Sequence, residues 1–278
     1  MSTVTISAAD INKLRQATGA GMMDCRKALT ETNGDFEAAI DWLRKQGQKV
    51  AAKRSDREAK EGVVIAATTS DNRTGFVVCV SCETDFVSKN ADFVAFVQSI
   101  ADVAVAKNVK TIDELNEAQI SGAKVSDLIN DKLAAIGEKI GITRFERVEA
   151  AYVSSYIHGA NRIGVLVGLN KAAAEVGKDV AMQIAALNPV AVDAASVPAD
   201  VIAREKAIIV DVMKQDPKMA GKPEEMLSKI AEGKLGAFFK EQTLTAQAFV
   251  KDAGKTVADY LKESGDVKVT EFKRVALG

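Results

Sequence analysis

Two turns in this chain carry the same short pattern ahead of an apolar run. Asn72-Arg73-Thr74-Gly75 leads into Phe76-Val77-Val78-Cys79-Val80, and Asn161-Arg162-Ile163-Gly164 leads into Val165-Leu166-Val167. Around the first, residues 63–67 and 76–81 read as a hairpin, and a helix with Phe93, Phe96, Val97 and Ile100 on one face follows. Around the second, residues 152–157 and 163–169 flank His158-Gly159-Ala160-Asn161-Arg162, and a helix from about Asp179 ends at Asn188-Pro189. The repetition predicts a duplicated strand-turn-strand-helix unit and an α+β core. Between the copies, residues 125–139 read as another helix.

The remaining segments are helical in pattern. Ser7 can cap a helix carrying Ile11 and Leu14 that Gly19 ends, and a second helix places Met22, Cys25 and Leu29 on one face. After Asn33-Gly34, the positions Phe36, Ala39, Ile40 and Leu43 recur at helical spacing, with Gly47 expected to close the third helix. Pro198 stands where a helix would start, with Val201, Ile208 and Val212 on one side. The stretch 216–223 breaks it, and a further helix follows with Met226, Leu227 and Ile230. This pair buries little by itself, so it either projects as an arm or folds flat onto the core. Thr256 then caps a short helix ended by Gly265, and residues 267–275 make a last strand.

Composition narrows the function classes. With 278 residues, 47% of them hydrophobic, and four prolines, the chain can bury a large core and divide into two or three units. Its 37 basic and 38 acidic residues nearly cancel, which argues against wholesale binding to nucleic acid or an anionic membrane. No apolar run approaches the ~20 residues needed to span a bilayer, and Met1-Ser2-Thr3-Val4 opens no signal segment. A cytoplasmic location is expected, and three cysteines fit a reducing compartment better than a disulfide framework. From Arg44 to Lys60, Arg44, Lys45, Lys49, Lys53, Arg54, Arg57 and Lys60 face only Asp56 and Glu58. That run reads as a solvated linker helix or as steering toward an acidic partner.

Catalytic motifs fail on inspection. Thr18-Gly19-Ala20-Gly21 lacks the third glycine of a dinucleotide loop, Asp24 standing in its place, and no strand precedes it. Gly254-Lys255-Thr256 resembles the end of a phosphate loop, but Phe249 occupies the first glycine position. Cys79 and Cys82 match C-x-x-C, yet residues three apart in a strand face opposite sides. A zinc site would need Cys25, Cys79, Cys82 and His158 to converge. The single histidine, His158, has no G-x-S-x-G partner. It is either a turn histidine bonded to a backbone carbonyl or a contact residue beside Asp85 and Phe86. The segment Cys82-Glu83-Thr84-Asp85-Phe86-Val87 is different, because a carboxylate and a large aromatic sit together in a connection. Such an aromatic either seals its own core or is offered to a partner.

Several long motifs carry a resemblance. Thr18-Gly19-Ala20-Gly21-Met22-Met23-Asp24-Cys25-Arg26-Lys27-Ala28-Leu29, Gly34-Asp35, Ala39-Ile40, Cys82-Glu83-Thr84-Asp85-Phe86-Val87, and His158-Gly159 with Arg162-Ile163-Gly164-Val165-Leu166-Val167 closely resemble the bacterial elongation factor Ts family, over nearly the whole chain. The resemblance implies a guanine-nucleotide exchange factor that binds elongation factor Tu, GDP-bound and nucleotide-free, displaces magnesium and promotes GDP release. It implies no enzyme activity, no cofactor, and no direct nucleic-acid or membrane partner, and leaves a homodimer open. The implied architecture is a three-helix ubiquitin-associated-like docking module (1–53), a core of two related parts (54–148; 149–196 with 236–278), and an antiparallel coiled-coil hairpin inserted as an arm (197–235). By resemblance, Thr84, Asp85, Phe86 and Val87 form the magnesium-displacing motif, with Phe86 inserted between helices of the GTPase domain. His158 contacts the partner near its phosphate site, and Arg15, Met22 and Met23 lie in the docking module. Longer family members carry an extra C-terminal helical module that has no counterpart before Gly278, so contacts made through it would be missing. Two rival functions stand beside this one, a helix- or peptide-binding adaptor without exchange activity and a thiol enzyme built on Cys82 with His158.

Overall fold

The computed structural model describes residues 6–54, 56–216, 219 and 221–278, with only the backbone of residues 48 and 50–53. Met1-Ser2-Thr3-Val4 and, in the expected helix break, Pro217, Lys218 and Ala220 lie outside the described residues.

Three helices come first. In α1 (Ala8–Thr18) the Ser7 hydroxyl accepts the Asp10 N–H while the Asp10 carboxylate accepts the Ser7 N–H, and Gly19 ends the helix at φ 69°. α2 (Met22–Glu31) buries Cys25, Ala28 and Leu29, and Asn33 and Gly34, both at positive φ, turn the chain into α3 (Phe36–Lys53). Leu14, Cys25, Leu29, Ala39 and Leu43 form a small core of their own. Met22 lies at helical spacing from Cys25 and Leu29 but in the first turn of α2, where it is exposed while they are buried. One sequence expectation is corrected here. Gly47 does not close α3, because it lies where α3 crosses α7 (Val125–Ile136); a Cβ there would sit 2.7 Å from the Cβ of Ala134.

The strands follow as two antiparallel three-stranded sheets. β1 (Glu61–Thr68) pairs with β2 (Thr74–Cys82) from Glu61↔Cys82 to Thr68↔Gly75. Then come α4 (Asp85–Ser88), α5 (Ala91–Lys107), α6 (Ile112–Glu117), the short hairpin β3 (Gln119–Ile120) and β4 (Ala123–Lys124), and α7, which Gly137 ends at φ 78°. β5 (Gly141–Glu149) returns to the free edge of β2. No sequence signal marked β5, since Arg144, Glu146, Arg147 and Glu149 interrupt it and only Val148 is buried.

The second sheet repeats the plan. β6 (Tyr152–His158) pairs with β7 (Ile163–Leu169), and α8 (Ala174–Leu187) follows, starting earlier than Asp179. After α9 (Ala199–Gln215), α10 (Glu224–Gln242), β8 (Ala248–Phe249), β9 (Asp252–Thr256) and α11 (Val257–Glu263), the strand β10 (Val269–Ala276) closes on the free edge of β7.

The two sheets pack face to face, with helices on their outer sides. Along β2, Phe76, Val78 and Val80 point to the α5–α7 side while Val77 and Cys79 point to the second sheet, so the strand is buried throughout. Along β7, Val165, Val167 and Leu169 face α8 and α11 while Leu166 faces the first sheet. The contact is pseudo-symmetric. A Cβ at Gly75 would lie 2.7 Å from Val153 and 2.8 Å from Leu166; one at Gly164 would lie 2.7 Å from Val64 and 3.1 Å from Val77. The backbone repeats the relation, since Val153 N–H donates to Asn72 O at 2.6 Å and Val64 N–H to Asn161 O at 2.8 Å. Each partner in the second copy lies 89 residues after its counterpart, Gly164 after Gly75, Val153 after Val64, Leu166 after Val77 and Asn161 after Asn72. The repeated glycine is therefore a place where one sheet lets the other approach.

α9 and α10 run antiparallel, joined by Lys206–Glu232 at 2.6 Å and Lys214–Glu224 at 3.3 Å. Met213, Leu227 and Ala231 are buried between them, with Ile209, Val210, Met219 and Ile230 packed around. Pro198 stands one residue before α9, and α10 runs on to Gln242, past the expected end of the arm at 235. Among the described residues no helix is long and apolar enough to cross a membrane.

Candidate functional site

β2 ends at Cys82, and within three residues the chain forms α4, a single helical turn. The four residues of the Thr84–Val87 motif go four ways. Thr84 Oγ1 donates to Glu138 Oε1 at 2.6 Å. Val87 packs against the apolar core beneath the first sheet. Asp85 is half-exposed and pairs with Lys89 Nζ at 2.7 Å, which holds its carboxyl below the usual aspartate range. Phe86 points outward and is 84% exposed, more than any other large hydrophobic side chain described.

Two carboxylates hold the turn. Glu138 Oε2 accepts the N–H groups of Glu83 and Thr84, each at 3.1 Å. Glu83 Oε1 accepts Lys139 N–H at 2.6 Å and Arg54 Nη1 at 2.7 Å, and Glu83 Oε2 accepts Arg57 Nη1 at 2.9 Å. The Lys139 N–H and the two guanidinium groups hold the Glu83 carboxyl down to about 2. The basic run is thus more than a solvated linker, with Arg54 and Arg57 on Glu83 and Arg44 on Asp131 of α7.

His158 ends β6 and is exposed; its Nδ1 lies 3.0 Å from the Tyr156 hydroxyl, and among the described residues no backbone carbonyl pairs with it. Arg162, in the same turn, pairs with Glu61 at 2.7 Å, and Glu61 is the strand partner of Cys82. The His158 turn and the Phe86 turn therefore sit at the same end of the β1–β2 hairpin. Arg15, Met22 and Met23 are exposed on either side of the turn between α1 and α2.

The thiols offer no reactive centre. Cys82 is buried and its Sγ donates to Thr84 O at 3.2 Å; burial, with Glu138 and Glu61 nearby, pushes the thiol up to about 12. Cys25, Cys79 and Cys82 belong to three separate apolar clusters, and His158 lies outside them all. Lys255, in the Gly-Lys-Thr stretch, pairs with Glu263 and Asp252 instead of opening a phosphate loop.

A family model described as elongation factor TS matches residues 83–278, well over half of the chain. The chain belongs to the elongation factor Ts family. Relatives named elongation factor Ts include one from Christiangramia forsetii, 49% identical over 277 residues and covering 98% of this chain and 99% of the relative. A second, from Flavobacterium psychrophilum, is 47% identical over 99% of both chains. A third, from Methylococcus capsulatus, is 44% identical over 99% of this chain and 93% of its own length. The elongation factor Ts assignment makes this a translation elongation factor. The Phe86 turn presents an exposed aromatic ring with a carboxylate beside it. Sequence reasoning missed its two supports, Glu83 and Glu138: the first adjoins the motif, but nothing local in the chain marks the second.

Proposed function

We propose that this chain is the guanine-nucleotide exchange factor of elongation factor Tu, acting in the cytoplasm without catalysing a covalent step. Phe86 inserts between helices of the GTPase domain, Asp85 shifts the elements that hold the magnesium ion, and His158 reaches the partner near its phosphate site. Arg15, Met22 and Met23 dock the N-terminal helices, a ubiquitin-associated-like module at 1–53. The core halves (54–148; 149–196 with 236–278) carry the wedge and His158, and the 197–235 hairpin is a coiled-coil arm.

The observation that carries this reading is the exposure of Phe86 in the free chain on a turn anchored at both ends. A phenylalanine left in water on a stable fold gains nothing until something covers it. Asp85 is poised as well, since its only described ion-pair partner is Lys89 on the next turn, at the surface. Such a pair is screened by water and easily exchanged for a partner's groups. Covering Phe86 yields about 1.5–3 kcal/mol, whereas moving an equilibrium from 1:99 to 99:1 takes about 5.5 kcal/mol. The wider interface and the lost magnesium contacts supply the rest. Coupling is reciprocal, so the factor by which this chain weakens GDP is the factor by which GDP weakens this chain, and it leaves after exchange.

The test is release of a fluorescent GDP analogue from elongation factor Tu. Acceleration by the wild-type chain and its loss in Phe86→Ala are expected. No acceleration by wild type refutes exchange and leaves the adaptor reading, and equal acceleration by Phe86→Ala refutes insertion.

A further inference from the structure

α4 has only four residues, and helices much shorter than ~12 residues do not hold themselves in water. Its cap residue, Thr84, makes no side-chain cap bond to the turn it precedes. That support comes from across the molecule, because Glu138 accepts two backbone N–H groups and the Thr84 hydroxyl. The reverse bond is also made, Glu83 accepting the Lys139 N–H. Segments 83–84 and 138–139 thus grip each other, each through a carboxylate of the other. Arg54 and Arg57, in the segment leaving α3, close on the far side of Glu83, whose side chain is only 14% exposed. With this clasp at one end of the turn and Val87 seated in the core at the other, Phe86 is left outside.

We propose that Glu83 and Glu138 are positioning residues for exchange: their reciprocal clasp presets the turn so that Phe86 is already presented when the partner arrives. This rests on the exchange reading above and adds how the wedge is kept out. An exposed aromatic on a loose loop folds back against its own surface, and bringing it out again within the docked complex slows insertion. A clasp of charge-assisted bonds to backbone N–H groups removes that cost before binding. The Arg54–Glu83–Arg57 bridge also ties the presentation to the segment that follows the N-terminal helices.

The experiment measures the maximal rate of GDP-analogue release from elongation factor Tu, and the concentration giving half of it. It uses Glu83→Ala, Glu138→Ala and the milder Glu83→Gln, each with and without Phe86→Ala. Gln at 83 keeps an oxygen for Lys139 N–H but loses the charge that the two arginines grip, so it serves if the alanine variant does not fold. With Phe86 present, the alanine variants should lower the maximal rate about tenfold, Glu83→Gln should fall between, and the half-saturating concentration should stay near wild type. In the Phe86→Ala background none of the three should slow release further, because they act through that ring. Equal slowing with and without Phe86, no slowing, or a change confined to the half-saturating concentration would each overturn the proposal. Failure of the wild-type chain to accelerate release, or full activity of Phe86→Ala, would instead remove the exchange reading itself.

Discussion

Gly164 and Val64 meet where the two sheets cross, with room for no atom between them: a Cβ on Gly164 would lie 2.7 Å from Val64 Cγ1. Gly164→Ala should therefore push the sheets apart and destabilise the fold by about 1–3 kcal/mol. The measurement is the urea midpoint, shifted without a change in slope. Gly236 in α10 is the contrast, since a Cβ there meets nothing within 4 Å. Gly236→Ala should stabilise that helix by about 0.5–1 kcal/mol. If Gly164→Ala unfolds at the wild-type midpoint, the close contact between sheets has no energetic weight.

Phe86→Ala separates stability from function. The side chain is 84% exposed, so its removal should change stability by no more than ~0.5 kcal/mol. Stimulated GDP release should fall at least about tenfold, the equivalent of the ~1.5 kcal/mol lower bound for covering a phenylalanine. A thermal melt beside the release assay checks both. A large drop in melting temperature would mean that the ring supports its own fold.

The Glu83 carboxyl sits near 2, against an ordinary value of 4.5, chiefly because it accepts the Lys139 N–H and then the Arg57 and Arg54 groups. The folded chain binds this proton less readily than the unfolded one. Its stabilising contribution is thus complete above pH 4.5 and is lost as pH falls toward 2. Wild type should melt above Glu83→Gln near neutral pH, with the gap narrowing across that acid window. A gap independent of pH would show that the charge on Glu83 is not what the arginines hold.

Cys82 should be inert in the native state. With its thiol pushed up to about 12, mainly by burial, only about one molecule in ten thousand carries the thiolate at pH 8. Iodoacetamide should label it slowly before unfolding and quickly afterwards, as read by mass spectrometry, and Cys82→Ser should keep exchange activity. Loss of activity in that variant would revive the thiol-enzyme alternative.

The sequence by itself determined what neighbours along the chain decide. Ser7 and Thr256 cap helices, and Gly19 ends one, where residues of their type usually do. The repeated Asn-Arg-x-Gly turn announced two related hairpins, and the long motifs announced the family. The placing of an acid and an aromatic in a connection singled out the Phe86 turn. Tertiary structure decided everything that depends on distant segments meeting. The charged strand β5 exists because the free edge of β2 accepts it, not because its own pattern demands it. Gly47 continues a helix because Ala134 crosses there. Phe86 and Val87 are adjacent apolar residues, and only the core beneath one of them and water around the other tell them apart. Glu138 reaches Glu83 across 55 positions of chain. Local propensity is a property of neighbouring residues, whereas burial and hydrogen-bond partnership belong to pairs that only the folded chain brings together.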